Sequence, residues 1–94
     1  MNFERPTKSV LITGASSGIG EATAHLFAEN NWRVWAGVRN EDDYFRLQQF
    51  RGIEPLMLDV RSEEQVAIAV KQISDNHESC DLDVLVANAG IVKA

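Results

Sequence analysis

The chain has 94 residues, 45% of them hydrophobic and 24% charged, with a formal net charge of −5. These are ordinary globular proportions, which exclude a disordered or fibrous chain, and the length allows one small domain or part of a larger one. The acidic balance offers no basic patch for nucleic acid or an anionic membrane, so an anionic ligand would have to be met locally, by backbone groups or a few placed cations.

Residues 9–13, SVLIT, are a short apolar and β-branched run of the kind that parallel sheets bury on both faces. A glycine-rich loop follows, and from Ile19 onward Ile19, Ala22, Leu26 and Phe27 recur at helical spacing, with Asn30 and Asn31 as a left-handed stop. Residues 33–38, RVWAGV, read as a second strand, closed by Arg39, Asn40 and the acidic pair Asp42 and Asp43. Residues 44–50, YFRLQQF, predict a short helix ending near Gly52, and residues 53–60 a third strand with Pro55 near its start, where a missing N–H does least harm. Ser62 with Gln65 three residues on matches a capping box, opening a helix lined on one face by Val66, Ala69, Val70 and Ile73. Residues 84–87 supply a fourth strand before the turn Asn88, Ala89, Gly90. The order βαβαβαβ predicts an α/β fold: a parallel sheet of four strands with flanking helices.

The chemistry is concentrated in the first loop, Gly14-Ala-Ser-Ser-Gly18-Ile-Gly20. A strand, a glycine loop and a helix in that order aim backbone N–H groups and the positive end of a helix dipole at one point, where a pyrophosphate fits. Gly14 would make the tight turn, Gly18 would admit the ligand to the backbone, and Gly20 would let the helix lie close to its strand. The loop lacks the Gly-Lys-Ser/Thr ending of a nucleoside-triphosphate loop, which argues against ATP or GTP hydrolysis. A plain glycine turn is the alternative, but glycines at a helix start cost stability that such a turn does not require.

At these residues the chain resembles the short-chain dehydrogenases/reductases. The pattern T-G-x-x-x-G-x-G is met by Thr13, Gly14, Gly18 and Gly20, and two further stretches agree: Leu58-Asp59-Val60 and Asn88-Ala89-Gly90. The likeness runs from about Lys8 to Val92, with Ala87 where the family often has a second Asn. It implies a partial Rossmann fold, residues 1–94 forming the N-terminal part of a single dinucleotide-binding domain. It also implies a cofactor site made of Gly14, Ser16, Ser17, Gly18, Ile19, Gly20, Arg39, Asp59, Val60, Asn88, Ala89 and Gly90, with Asp59 and Val60 along the adenine and Asn88 to Gly90 beneath the cofactor.

The choice between NAD and NADP turns on charge at the end of the second strand. An acidic residue there would hold the ribose hydroxyl of NAD, but Val38 stands in that place and Arg39 follows. A guanidinium binds phosphate through paired, charge-assisted hydrogen bonds, so NADP is the expected cofactor. Asp42 and Asp43 are the competing partners for Arg39, and Ser17 stands where NADP-preferring relatives often carry a second basic residue.

The family's catalytic Ser, Asn and Tyr-x-x-x-Lys find no counterpart. Tyr44 is the only Tyr, and Gln48 follows four residues on. The resemblance therefore implies the cofactor-binding portion of an NADP-dependent oxidoreductase, truncated before its active site, with a carbonyl or alcohol substrate only in a full-length form. Two alternatives stand beside it: a non-catalytic nucleotide-binding module, and a methyltransferase, which would want an acidic residue near Val38.

Other residues read as structural. His25 and His77 lack ligand-spaced partners, Glu63 and Glu64 favour a helix dipole, and Trp32 and Trp35 are expected to pack against helices. The single Cys80 permits no internal disulfide. Glu4 and Pro6 interrupt the N-terminal stretch where a signal peptide needs apolar residues, which predicts a cytoplasmic chain. A sheet ending at its fourth strand would expose an apolar edge open to self-association, and the isolated chain is expected to be marginally stable.

Overall fold

Among the described residues, four strands form one parallel sheet in the order β3-β2-β1-β4, with three helices between them in sequence. The computed structural model describes residues 8–16, 18–75 and 83–87. The elements are β1 (Ser9–Ile12), α1 (Gly18–Glu29), β2 (Arg33–Val38), α2 (Glu41–Leu47), β3 (Ile53–Met57), α3 (Glu63–Asp75) and β4 (Val84–Val86). The expected βαβαβαβ order and parallel sheet are both present.

The central strands are apolar on both faces because both faces are covered. On one face Val10, Ile12, Val34, Ala36, Val38 and Ile53 pack with Ala24 of α1 and Leu47 of α2. On the other, Leu11, Trp35, Leu56 and Leu58 pack with Ala69 of α3. Alternate residues of one strand thus serve opposite layers, the two-residue period of a pleated strand. β1 pairs Leu11 with Trp35 of β2 and with Leu85 of β4, so it lies between the two directions in which the chain builds the sheet.

The packed face of α1 differs from the expected one. Ile19 and Leu26 are largely exposed and Ala22 is exposed, whereas Gly20 and Ala24 are buried and Phe27 and Ala28 are partly buried against the core. Gly20, Ala24 and Ala28 form a stripe four residues apart, and its small side chains let the helix lie on the sheet. Asn31, with φ of 67°, ends the helix in the left-handed conformation as expected. Trp32 packs edge-on to Phe27, ring centroids 4.8 Å apart, and Trp35 is buried, so both tryptophans are structural.

α2 begins three residues before the expected helix and also ends earlier. Asn40 is its N-cap, its Oδ1 accepting from the Asp43 N–H at 2.9 Å. Glu41, Asp42 and Asp43 then fill the first turn, where negative charge meets the helix dipole favourably, so residues that looked like loop are helical. A seven-residue helix cannot stand alone. Leu47, fully buried, secures it with a burial contribution of about 2 kcal/mol.

β3 stops at Met57 rather than Val60. Leu58 makes the last bond to β2, its N–H donating to the Val38 carbonyl at 2.8 Å, and Asp59 then turns to side-chain partners. Pro55 sits mid-strand, opposite Ala36, rather than near the start. The Gly52 carbonyl and the Leu58 N–H both face β2, so even-numbered residues make the ladder and the nitrogen of Pro55 faces the sheet edge, where no bond is lost.

The capping box of α3 is half formed. Ser62 Oγ accepts from the Gln65 N–H at 3.1 Å, but Gln65 Oε1 accepts from the Asp59 N–H at 2.8 Å instead of returning to Ser62. Of the face expected for α3, Ala69 is buried and Ile73 packs beside it, whereas Val66 and Val70 are exposed. Among the described residues, no helix is long and apolar enough to cross a membrane.

Candidate functional site

Parallel strands put all their carboxyl ends on one edge, and in sheets of this kind ligands bind outside that edge where the strand order reverses. Here the reversal lies at β1, flanked by β2 and β4. The glycine loop leaves β1 at this point.

Backbone bonds fix the loop to both neighbours. The Thr13 N–H donates to the Val86 carbonyl at 3.0 Å, and the Ala15 N–H donates to the Gly37 carbonyl at 2.9 Å. Ala15 is fully buried beneath the loop. Gly14 and Gly18 have φ of 64° and 58°, a region that a residue with a Cβ enters only at a cost of about 1–2 kcal/mol. A Cβ placed on Gly18 would meet nothing within 4 Å, so the space over the loop is open, as an incoming phosphate requires. Gly18 begins α1, and the helix's first N–H groups, which lack intrahelical partners, face the same opening.

The other expected residues join this edge. Arg39 is exposed directly after β2, while Val38 before it is buried. Asp43 turns to Arg46, at 3.3 Å, rather than competing for Arg39. Asp59 and the exposed Val60 follow β3. Asp59 Oδ1 accepts from the Arg61 N–H and Nε, both at 3.0 Å, and Oδ2 accepts from Arg61 Nη2 at 2.8 Å. These bonds, with a further contribution from the positive charge of Arg39, hold the Asp59 carboxyl well below the usual carboxylate range. The structure thus brings Gly14, Ser16, Gly18, Ile19, Gly20, Arg39, Asp59 and Val60 to one edge of the sheet; Ser17, Asn88, Ala89 and Gly90 lie outside the described residues.

Three side chains at this edge were not read as site residues in the sequence. Arg61 grips Asp59, and Gln65 fixes the Asp59 backbone. Arg46 of α2 reaches the glycine loop itself: its Nη2 donates to the Ser16 carbonyl at 2.9 Å and its Nη1 to Glu21 Oε2 at 2.8 Å. Glu21 also lies 3.3 Å from His25, whose ring meets Phe50 edge-on. The bond to Arg46, more than that to His25, lowers the Glu21 carboxyl from its ordinary value. Arg61 carries a local signal, two residues after Asp59, but nothing in the sequence links Arg46 to positions 25 and 30 residues away. Tyr44 lies on α2 and packs partly buried against the core, its ring edge-on to Phe45.

A family model for short chain dehydrogenases matches residues 8–94. A short-chain dehydrogenase/reductase of Pestalotiopsis microspora is 42% identical over 84 residues, covering 88% of this chain and 29% of the relative. The 3-oxoacyl-acyl-carrier-protein reductase FabG of Thermotoga maritima is 36% identical over 91 residues, covering 92% of this chain and 36% of its own. Among solved structures, a short chain dehydrogenase from Bacillus anthracis superposes with a TM-score of 0.80 at 30% identity, over 89% of this chain and 35% of that one. A variant of actinorhodin polyketide ketoreductase, crystallised with NADPH, gives a TM-score of 0.80 at 29% identity, over 90% of this chain and 34% of that one. The chain spans about a third of the length of these relatives. Sheet order, glycine loop and sequence agree with the match along nearly the whole chain, and the protein belongs to the short-chain dehydrogenases, a family of oxidoreductases that bind nicotinamide cofactors.

Proposed function

We propose that this chain is the cofactor-binding portion of an NADP-dependent oxidoreductase that moves hydride between NADP(H) and a carbonyl or alcohol carbon. The observation that carries the reading is the exposed Arg39 directly after β2, with a buried Val38 where an NAD-selective site would need a carboxylate. A phosphate on the adenosine ribose would find a guanidinium there, and Asp43, one of its two acidic competitors, is committed to Arg46. The similar ketoreductase crystallised with NADPH supports the same cofactor.

In this reading Gly14, Ser16, Ser17, Gly18, Ile19 and Gly20 cradle the pyrophosphate through backbone N–H groups. Arg39 takes the 2′-phosphate, Asp59 and Val60 border the adenine, and Asn88, Ala89 and Gly90 lie beneath the cofactor. The bound cofactor would donate or accept the hydride; these residues bind and orient it. None of them acts as the acid or base of the reaction.

Titration with NADPH and NADH tests the assignment. The protein should prefer NADPH, and Arg39→Ala should reduce that preference about ten- to hundredfold, the worth of a charge-assisted hydrogen bond of about 1.5–3 kcal/mol. Equal affinities for the two cofactors in the parent protein would overturn it.

A further inference from the structure

A phosphate-binding loop works only if it presents N–H groups to the anion and keeps carbonyl oxygens and carboxylates out of the way. Two features of this loop oppose that requirement. Glu21 lies in the first turn of α1, where its charge would compete with a bound anion for the positive end of the helix. Ser16, in the middle of the loop, carries a carbonyl that must point somewhere.

One side chain answers both. Arg46 lies on α2, yet its Nη1 donates to Glu21 Oε2 at 2.8 Å and its Nη2 to the Ser16 carbonyl at 2.9 Å. The same guanidinium reaches Asp43 Oδ1 at 3.3 Å, which orients it within its own helix. It is about two-fifths exposed, so solvent ions can compete with it, but its three acceptors come from the loop, α1 and α2 together. The capped helix that carries Arg46 starts at Glu41, immediately after Arg39 and Asn40.

We infer that Arg46 is a positioning residue for the dinucleotide, drawing the Ser16 carbonyl toward α2 and neutralising Glu21 so that the loop and the start of α1 accept a pyrophosphate. Arg46 does not touch the ligand in this account; it acts through Ser16 and Glu21. The inference rests on the reading that a nicotinamide dinucleotide occupies the loop. Because α2 follows Arg39 directly, Arg46 also ties the pyrophosphate end of the site to the segment that would hold the 2′-phosphate.

The test is calorimetric titration of the full chain and its variants with NADPH, with thermal melts run alongside. Arg46→Gln should weaken NADPH binding about tenfold, and adding Glu21→Gln to it should restore most of the loss. A purely structural role for Arg46 would move affinity and melting temperature together, whereas here affinity is regained without a matching gain in melting temperature. Should Arg46→Gln fail to fold, Glu21→Gln alone, which leaves Arg46 on Ser16, should tighten NADPH binding at least twofold. Binding by Arg46→Gln within twofold of the parent, a double variant no tighter than Arg46→Gln, or unchanged affinity in Glu21→Gln would overturn the inference while leaving the cofactor reading intact. A parent protein that bound neither NADPH nor NADH would overturn both.

Discussion

The N–H of Ala15 donates to the carbonyl of Gly37 at 2.9 Å, joining the glycine loop to β2 two residues ahead of Arg39. This bond sets the distance between the loop that would hold a pyrophosphate and the cation that would hold a ribose phosphate. It depends on β2 lying close, and Gly37 leaves little room for a side chain. A Cβ there would stand 3.1 Å from Leu58 Cδ2, 3.3 Å from Leu58 Cβ and 3.4 Å from the Ile12 carbonyl oxygen.

Gly37→Ala should therefore destabilise the chain by about 1–2 kcal/mol, because the crowding involves backbone and a buried Cβ as well as a movable methyl. Urea denaturation measures this, and in a chain of this size the same loss lowers Tm by roughly 4–8 °C per kcal/mol. An unchanged midpoint would mean that Leu58 gives way freely.

Gly18→Ala should act differently. With no atom within 4 Å of the new methyl, its cost is conformational, about 1–2 kcal/mol for a φ of 58°. NADPH affinity should fall as well, since the methyl enters the space over the loop. Stability and affinity measured on the same variant separate the two effects.

Acid should expose the Asp59–Arg61 pair. Its bonds to Arg61 hold the Asp59 carboxyl below its ordinary value, so its contribution to stability is complete above the unfolded-state range near pH 4 and is lost as pH falls below it. Arg61 is exposed, so the contribution is small. Asp59→Asn should lower stability slightly at neutral pH and flatten the acid limb of a profile taken from pH 5 down to pH 2, the two profiles drawing together as the pH falls. An unaltered acid limb would remove Asp59 as its source.

At the other end of the sheet, β4 is an edge strand among the described residues, and Leu85 on it is 59% exposed. An apolar edge with unpaired backbone groups recruits another strand. The chain should show concentration-dependent association by sedimentation velocity, and Leu85→Lys should suppress it. Association identical in the parent and the variant would place the contact elsewhere.

Much of the site was legible in the sequence because its signals are local. A strand, three spaced glycines and a helix start are consecutive, and Arg39 and Asp59 each follow the end of a strand that the apolar pattern marks. The misread details are those in which distant groups compete. The apolar spacing of Ile19, Ala22 and Leu26 predicted the buried face of α1, but the tight approach to the sheet favours Gly20, Ala24 and Ala28. Ser62 and Gln65 match a capping box, but Gln65 is drawn to Asp59 across the turn. Asp43 looked free to meet Arg39 until the Asn40 cap wound it into a helix beside Arg46.

The sequence by itself determined the order of elements, the parallel sheet, the position of the glycine loop and the family, since each rests on short-range periodicity and on residue types with restricted backbone geometry. Only the tertiary structure decided how the loop is held. The Ala15–Gly37 bond, the grip of Arg61 and Gln65 on Asp59, and the reach of Arg46 to Ser16 and Glu21 arise once strands and helices are placed side by side. Hydrogen bonds and ion pairs act over a few ångströms in space, whatever the separation along the chain, and the packing of the sheet sets which groups fall within that range.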